Sequence, residues 1–331
     1  MNAKLIMLSE NIVKLKQKIN SLGASYPLDE VKPDFVDKVQ LESNNDDYFK
    51  CIFKKMSGLI NKCATRISNY KSITELKSED YERINELKNL YSEAYIYSKL
   101  KSWLAIEKVP ETLQRTPDFK VTFRGSPIYI EIKSLNMADG QLKHIEIMDK
   151  VSKMKIDLET QKKSGKAIAI SETIIQPYYK SGNPYNAKST KMMIETLIDK
   201  ITNNLKQEQF NQGDTLLLVD IATQLPVPHP ESAIRENYEI HSNKVSGVLW
   251  HTAFGIMNST IYPFPALEDD SETEYLSSEG ILNTHPYIKG LIFHIDENFY
   301  ALAKSADENL RAIELISYLC PKTTVLSLHS Q

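Results

Sequence analysis

The stretch that most constrains this chain is Thr116-Pro-Asp-Phe-Lys-Val-Thr-Phe-Arg-Gly-Ser-Pro-Ile-Tyr-Ile-Glu-Ile-Lys133, which alternates apolar and polar residues on both sides of Gly125-Ser126. Successive side chains of a strand point to opposite faces, so a period of two specifies a hairpin and also which face it buries. One face carries Phe119, Val121, Phe123, Ile128, Ile130 and Ile132 and must rest on a core. The other carries Asp118, Lys120, Glu131 and Lys133. With Gly125-Ser126 as a two-residue turn, Lys120 faces Glu131 and Asp118 faces Lys133. Asp118 and Glu131 then become diagonal neighbours with Lys133 between them.

Ahead of this hairpin the pattern is helical. Apolar residues recur at helical spacing in 3–21 (Leu5, Leu8, Ile12, Leu15, Ile19), and further helices are expected over 46–69 and 78–106, the last opening on Ser78 with Glu82 nearby. Residues 23–45 contain two prolines and read as a connecting arm. Glu107–Arg115 is a poor strand. Beyond the hairpin the pattern predicts a helix over about 140–163, a strand at Ala167–Ile170, a loop over 176–187 and a long helix over 188–209. Apolar strands follow at Leu216–Ile221, Val245–Trp250 and Leu291–Ile295, and the acidic run 268–279 reads as a solvated loop. Mixed strands and helices in this order imply an α/β fold with a helical N-terminal extension. The expected division is a helical region 1–75, a core 76–222 and an acidic α/β region 223–331 that could complete the sheet.

Composition adds little until it is divided. The chain has 331 residues, 41% of them hydrophobic, and a net charge of −3. Residues 1–75 carry +3, 76–139 carry 0, 140–210 carry +4 and 211–331 carry −10. A polyanionic partner would therefore meet residues of about 76–210 and avoid the acidic end. No apolar run is long enough to span a membrane. Three cysteines without a CxxC spacing suggest neither a disulfide framework nor a zinc site, so a reducing cytoplasm is expected. The histidines show no HxH or HExxH spacing, and no GxxxxGK[ST] or GxGxxG occurs, which argues against a zinc hydrolase, an NTPase or a dinucleotide enzyme.

Two converging carboxylates repel unless a cation separates them, and oxygen-only ligation favours Mg²⁺ or Mn²⁺. A lysine beside that cation suits phosphodiester hydrolysis, because it can orient a water and offset charge on the phosphoryl group. The segment resembles the PD-(D/E)XK nuclease superfamily, the restriction-endonuclease-like fold, through Pro117-Asp118, Glu131-Ile132-Lys133 and the apolar residues around each half. The resemblance covers about residues 85–172. It implies a mixed sheet core flanked by helices, ordered α-β-β-β-α-β. It also implies metal ligation by Asp118 and Glu131, a water-handling role for Lys133, and assistance from an acidic residue on the preceding helix. By position that residue is Glu93, on the stripe Leu90, Tyr97, Leu100, Leu104, with Glu86 two turns earlier as the alternative.

The resulting expectation is a Mg²⁺- or Mn²⁺-dependent nuclease acting on nucleic acid, DNA before RNA, in restriction, phage defence or mobile-element processing. The alternative is a non-cleaving nucleic-acid-binding or assembly subunit that keeps the fold. The motif residues taken by themselves are also compatible with a solvated strand face carrying weak cross-strand ion pairs. Lys120, Lys162, Lys163 and Lys180 are candidate nucleic-acid contacts, with Tyr178, Tyr179 and Tyr185 as stacking candidates. Gln141 and Gln161 are weaker candidates for the site, as are Asp220 and Asp296 at strand ends. The N-terminal and acidic C-terminal regions would serve substrate choice, homodimer formation or docking of a partner protein.

Overall fold

The computed structural model describes residues 8–22, 28, 30–72, 75–110, 115–135, 144–170, 178, 189–221, 226–264 and 273–327. The chain divides into two compact units, one of residues 1–102 and 144–174, the other of residues 103–143 and 175–331. No helix among the described residues is long and apolar enough to cross a membrane.

The first unit is helical: α1 Leu8–Ser21, α2 Pro33–Glu42, α3 Asp47–Ile67, α4 Ser78–Lys101 and α5 His144–Lys163. The expected connecting arm thus contains a helix, because Pro33 stands at its first position, where the missing N–H costs nothing. Helix α4 starts at Ser78, as expected, and ends at Lys101 rather than at 106. Lys77 is its N-cap, and Asp80 rather than Glu82 accepts the Lys77 N–H, at 2.9 Å. Asp46 caps α3 by accepting from Tyr48 N–H and Phe49 N–H at 2.8 and 3.0 Å, and it also accepts from the Tyr97 hydroxyl at 2.9 Å and from Lys101. Burial would raise the Asp46 pKa, but these donors outweigh it and hold the carboxyl below its ordinary range.

The second unit is built on a seven-stranded mixed sheet with helices against it. Its strands are β1 Ile106–Lys108, β2 Phe119–Phe123, β3 Ser126–Leu135, β4 Thr215–Ile221, β9 Ile288–Ile295, β10 Asn298–Ser305 and β11 Lys322–Ser327, hydrogen-bonded in that order. Two small ribbons intervene in the chain, β5 Asn237–Ile240 with β6 Asn243–Ser246, and β7 Thr260–Ile261 with β8 Glu274–Tyr275. β2 runs antiparallel to both β1 and β3, and β4 runs parallel to both β3 and β9. The strand sequence Thr215-Leu-Leu-Leu-Val-Asp-Ile221 suits that central position, because a strand covered on both faces needs no alternation.

The hairpin register differs from expectation by one residue in the turn. Phe119 pairs with Ile130, Val121 with Ile128 and Phe123 with Ser126. The turn is therefore Arg124-Gly125, both at positive φ (+49° and +79°), the backbone that matches the twist of a two-residue hairpin. Parity within each strand is as expected. The next step beyond Phe119–Ile130 sets Asp118 opposite Glu131 rather than opposite Lys133.

Other expectations change for identifiable reasons. Ala167–Ile170 is not a strand: Ile168 and Ile170 are 75% and 72% exposed, and the strand parallel to β3 is β4. Val245–Trp250 is divided at Gly247, which caps helix α8, Val248–Phe254. The helix expected over 188–209 is α6, Thr190–Thr202, followed by a 3₁₀ turn at Gln207–Phe210. Within the acidic run, Glu274–Tyr275 forms a ribbon strand, Glu274 accepts from Ser189, and Leu276 is buried.

One sheet face, with Leu135, Leu217, Val219, Leu291 and Phe293, joins a core with Ile194 and Leu197 of α6 and Leu249 and Phe254 of α8. The opposite face carries helix Leu310–Leu319, and Gly290 of β9 is what lets it approach. A Cβ there would overlap Ile316 Cδ1 and press on Leu216 Cδ2, both fully buried. Gly290→Ala is therefore expected to lower stability by about 1–3 kcal/mol in urea titrations, and Ile316→Val in the same chain to recover part of that loss.

Candidate functional site

The site lies in the sheet unit, where β1, β2 and β3 meet. The Asp118 carbonyl accepts from Val109 N–H at 3.0 Å, and Asp118 Oδ2 accepts from Ile132 N–H at 2.9 Å. A side chain thus replaces the backbone carbonyl that a longer β2 would have offered to β3. The arrangement also fixes the carboxylate against the strand carrying Glu131 and Lys133. The second oxygen, Oδ1, accepts from Lys108 Nζ at 3.0 Å, and that ammonium lies 4.9 Å from the Phe119 ring centroid.

Glu131 shares its sheet face with Leu217 and Val219 and is 1% exposed. Its Oε1 accepts from Lys133 Nζ at 2.6 Å and from Gln209 Nε2 at 2.5 Å, while Gln209 Oε1 accepts from Lys133 Nζ at 3.3 Å. Gln209 stands on the 3₁₀ turn before β4, beside the buried Phe210. Burial, and then the negative charge of Asp118, push the Glu131 carboxyl up to about 7; Lys133 and Lys108 only partly oppose this. Glu131 Oε2 is buried and has no hydrogen-bond partner among the described residues.

This donor set fits a hard divalent cation. Two adjoining carboxylates, one of them with a bare buried oxygen, present the negative charge and the oxygen ligation that Mg²⁺ or Mn²⁺ requires. No group of three or more His, Cys, Asp and Glu side chains placed to hold a metal occurs among the described residues. Asp118 and Glu131 would be the two protein side chains on such an ion, the number Mg²⁺ commonly takes when water and phosphate supply the rest.

The remaining sequence candidates are placed as follows. Glu93 belongs to the helical unit, where it is half-buried and Oε1 accepts from the Tyr48 hydroxyl at 3.0 Å. On its stripe Tyr97 and Leu100 are buried and Leu90 half-buried, and Leu104 lies beyond the helix end. Glu86 is exposed. Lys120 is half-buried on β2, 3.7 Å from Glu107. Lys162 and Lys163 are exposed at the end of α5. Gln161 brackets the backbone of Ile170 with both ends of its amide. Tyr178 is no exposed stacking platform, because it is buried with its hydroxyl donating to the Pro226 carbonyl at 3.0 Å. Asp220 holds His294 Nδ1 at 2.6 Å, on the sheet face opposite Glu131 and Lys133, and Asp296 sits in the β9–β10 turn at positive φ. Gln141, Lys180, Tyr179 and Tyr185 lie outside the described residues.

Comparison with models of protein families, with curated proteins and with solved structures finds no match. Sequence reasoning overlooks Lys108 and Gln209. Lys108 lies in a segment with no strand periodicity, and only its pairing with the hairpin brings it to Asp118. Gln209 is 78 residues from Glu131, and no local pattern links them.

The Glu131 shift makes a stability prediction. In the unfolded chain this carboxyl titrates near 4.5, and in the folded protein near 7. Between these values the native state holds the extra proton, so the group's contribution to stability falls as pH rises through that window. In chelator, Glu131→Gln is expected to stabilise the protein at pH 8 by on the order of 1–2 kcal/mol and to give no gain at pH 5, as read from urea denaturation.

Proposed function

We propose that the chain is a metal-dependent nuclease of the PD-(D/E)XK type, hydrolysing phosphodiester bonds of nucleic acid, DNA in preference to RNA. The observation that carries this reading is the convergence of Asp118, Glu131 and Lys133 at the start of β2 and the middle of β3, with Glu131 Oε2 bare and buried. The sheet supports it as well. Three antiparallel strands followed by a parallel fourth, with α6 packed on the sheet before β4, match the strand order that the resemblance implies. The matching fourth strand is β4 rather than 167–170, so the corresponding core extends to about residue 221.

In this reading Asp118 and Glu131 hold Mg²⁺ or Mn²⁺, which when bound would polarise the scissile phosphate and lower the pKa of a water. The chain's own groups do the rest. The Ile132 N–H fixes one Asp118 oxygen, so that carboxylate enters the reaction without reorganising. Lys133 is held from two sides by Glu131 and Gln209, which keeps its ammonium directed into the site. There it steers the attacking water and offsets negative charge on the phosphoryl oxygens. The positively charged stretch 140–210, including Lys162 and Lys163, is the proposed contact for the nucleic-acid backbone, and restriction, phage defence or mobile-element processing the proposed setting.

A second reading is favoured by one observation. Both Asp118 oxygens are already engaged, by a backbone N–H and by Lys108, which is how a non-cleaving relative that only binds nucleic acid would be arranged. Incubation of the full chain with plasmid, single-stranded DNA and RNA in Mg²⁺ or Mn²⁺ separates the two. The nuclease reading predicts metal-dependent cleavage that slows at least about a hundredfold in Asp118→Ala and in Lys133→Ala. Binding without cleavage of any substrate would instead establish the non-cleaving subunit.

A further inference from the structure

Among the described residues, three of the four carboxylate oxygens at the site accept hydrogen bonds, and one of them, Asp118 Oδ1, accepts from a flexible ammonium on an edge strand. Ile132 N–H, on Asp118 Oδ2, belongs to the strand backbone and cannot withdraw without disturbing β3. Glu131 Oε1 is shared by Lys133 and Gln209, which also bond each other. Asp118 Oδ1 accepts from the Lys108 ammonium at 3.0 Å, from the three-residue edge strand β1. Both partners of that ion pair are about one-quarter exposed, so the lysine has room to swing on its four-carbon stem.

Resting on the metal-site reading above, we infer that Lys108 occupies the cation position at Asp118 when no metal is bound and yields it to a divalent cation. Lys108 and Lys133 offset part of the repulsion between the two carboxylates while no metal is bound. A divalent ion held by Asp118 and Glu131 would repel the ammonium at Asp118 Oδ1, so metal and lysine would compete for that carboxylate. Nζ also lies 4.9 Å from the Phe119 ring centroid, a contact that already helps to hold the ammonium at Asp118. Lys108 is therefore a competitor that sets the metal concentration at which the site fills.

The test is calorimetric titration of the full chain with Mn²⁺ alone, without nucleic acid. Lys108→Met, and Lys108→Gln as a second neutral replacement should the first fold poorly, are expected to bind Mn²⁺ about tenfold more tightly, about 1.4 kcal/mol. Lys108→Arg, which keeps the charge, should stay within about twofold of wild type. Metal-free Lys108→Met should melt lower than wild type and gain more in melting temperature on adding Mn²⁺. Asp118→Asn and Glu131→Gln should abolish binding. If wild-type binding depends on Asp118 and Glu131 while the neutral variants bind no more tightly, or if Lys108→Arg tightens equally, the competition is wrong and the metal site stands. If no variant binds Mn²⁺, or binding survives Asp118→Asn, both the competition and the metal site are wrong.

Discussion

Two carboxylates brought together in a half-dry corner of a sheet are the constraint on which the rest of the site depends. Asp118 and Glu131 are opposed across the hairpin, and Glu131 is buried among apolar side chains of β4. Burial disfavours the charged form of Glu131 unless positive charge lies close by. The protein supplies Lys133 to one and Lys108 to the other, and Gln209 adds a neutral donor. The Glu131 carboxyl still sits near 7, so these donors under-compensate the negative charge. An under-compensated carboxylate pair with a bare oxygen is a natural place for a divalent cation, and this is the physical core of the nuclease proposal.

The site is also tied to the fold through backbone hydrogen bonding. β2 begins at Phe119, one residue after Asp118, and the Asp118 side chain takes over the pairing that the backbone leaves off. One residue therefore ends a strand and orients a functional carboxylate. Substitution of Asp118 removes a negative charge and strands the Ile132 N–H together, so its effects on activity and on local structure must be separated by an isosteric change such as Asp118→Asn.

Face and register of the hairpin were legible to different degrees. Alternation over Phe119–Phe123 and Ile128–Ile132 dictates which side chains share a face, and the structure buries Phe119, Val121, Ile128, Ile130 and Ile132 and leaves Phe123 half-buried. Register depends on which two residues make the turn. Arg124 adopts a left-handed backbone, a conformation its chemistry does not announce, so the sequence points to Gly125-Ser126 instead. Apolar runs at 167–170 and 245–250 misled for a related reason: a short run has no period long enough to separate strand from helix start or surface loop. Gly247, as an N-cap, decides the second case. The three motif residues were legible because they lie within sixteen residues of one another, Asp118 to Lys133, on one hairpin. Lys108 and Gln209 were not, because strand pairing and the return of the chain before β4 bring them in.

The claim that everything else serves is that Asp118 and Glu131 share a divalent cation. Anomalous diffraction from crystals of the full chain soaked in Mn²⁺ tests it most directly. The account predicts a manganese peak bonded to Glu131 Oε2 and Asp118 Oδ1 at about 2.0–2.2 Å, with Lys108 moved off that oxygen. A well-occupied soak with no peak between the two carboxylates, and Lys108 still in place, would contradict it.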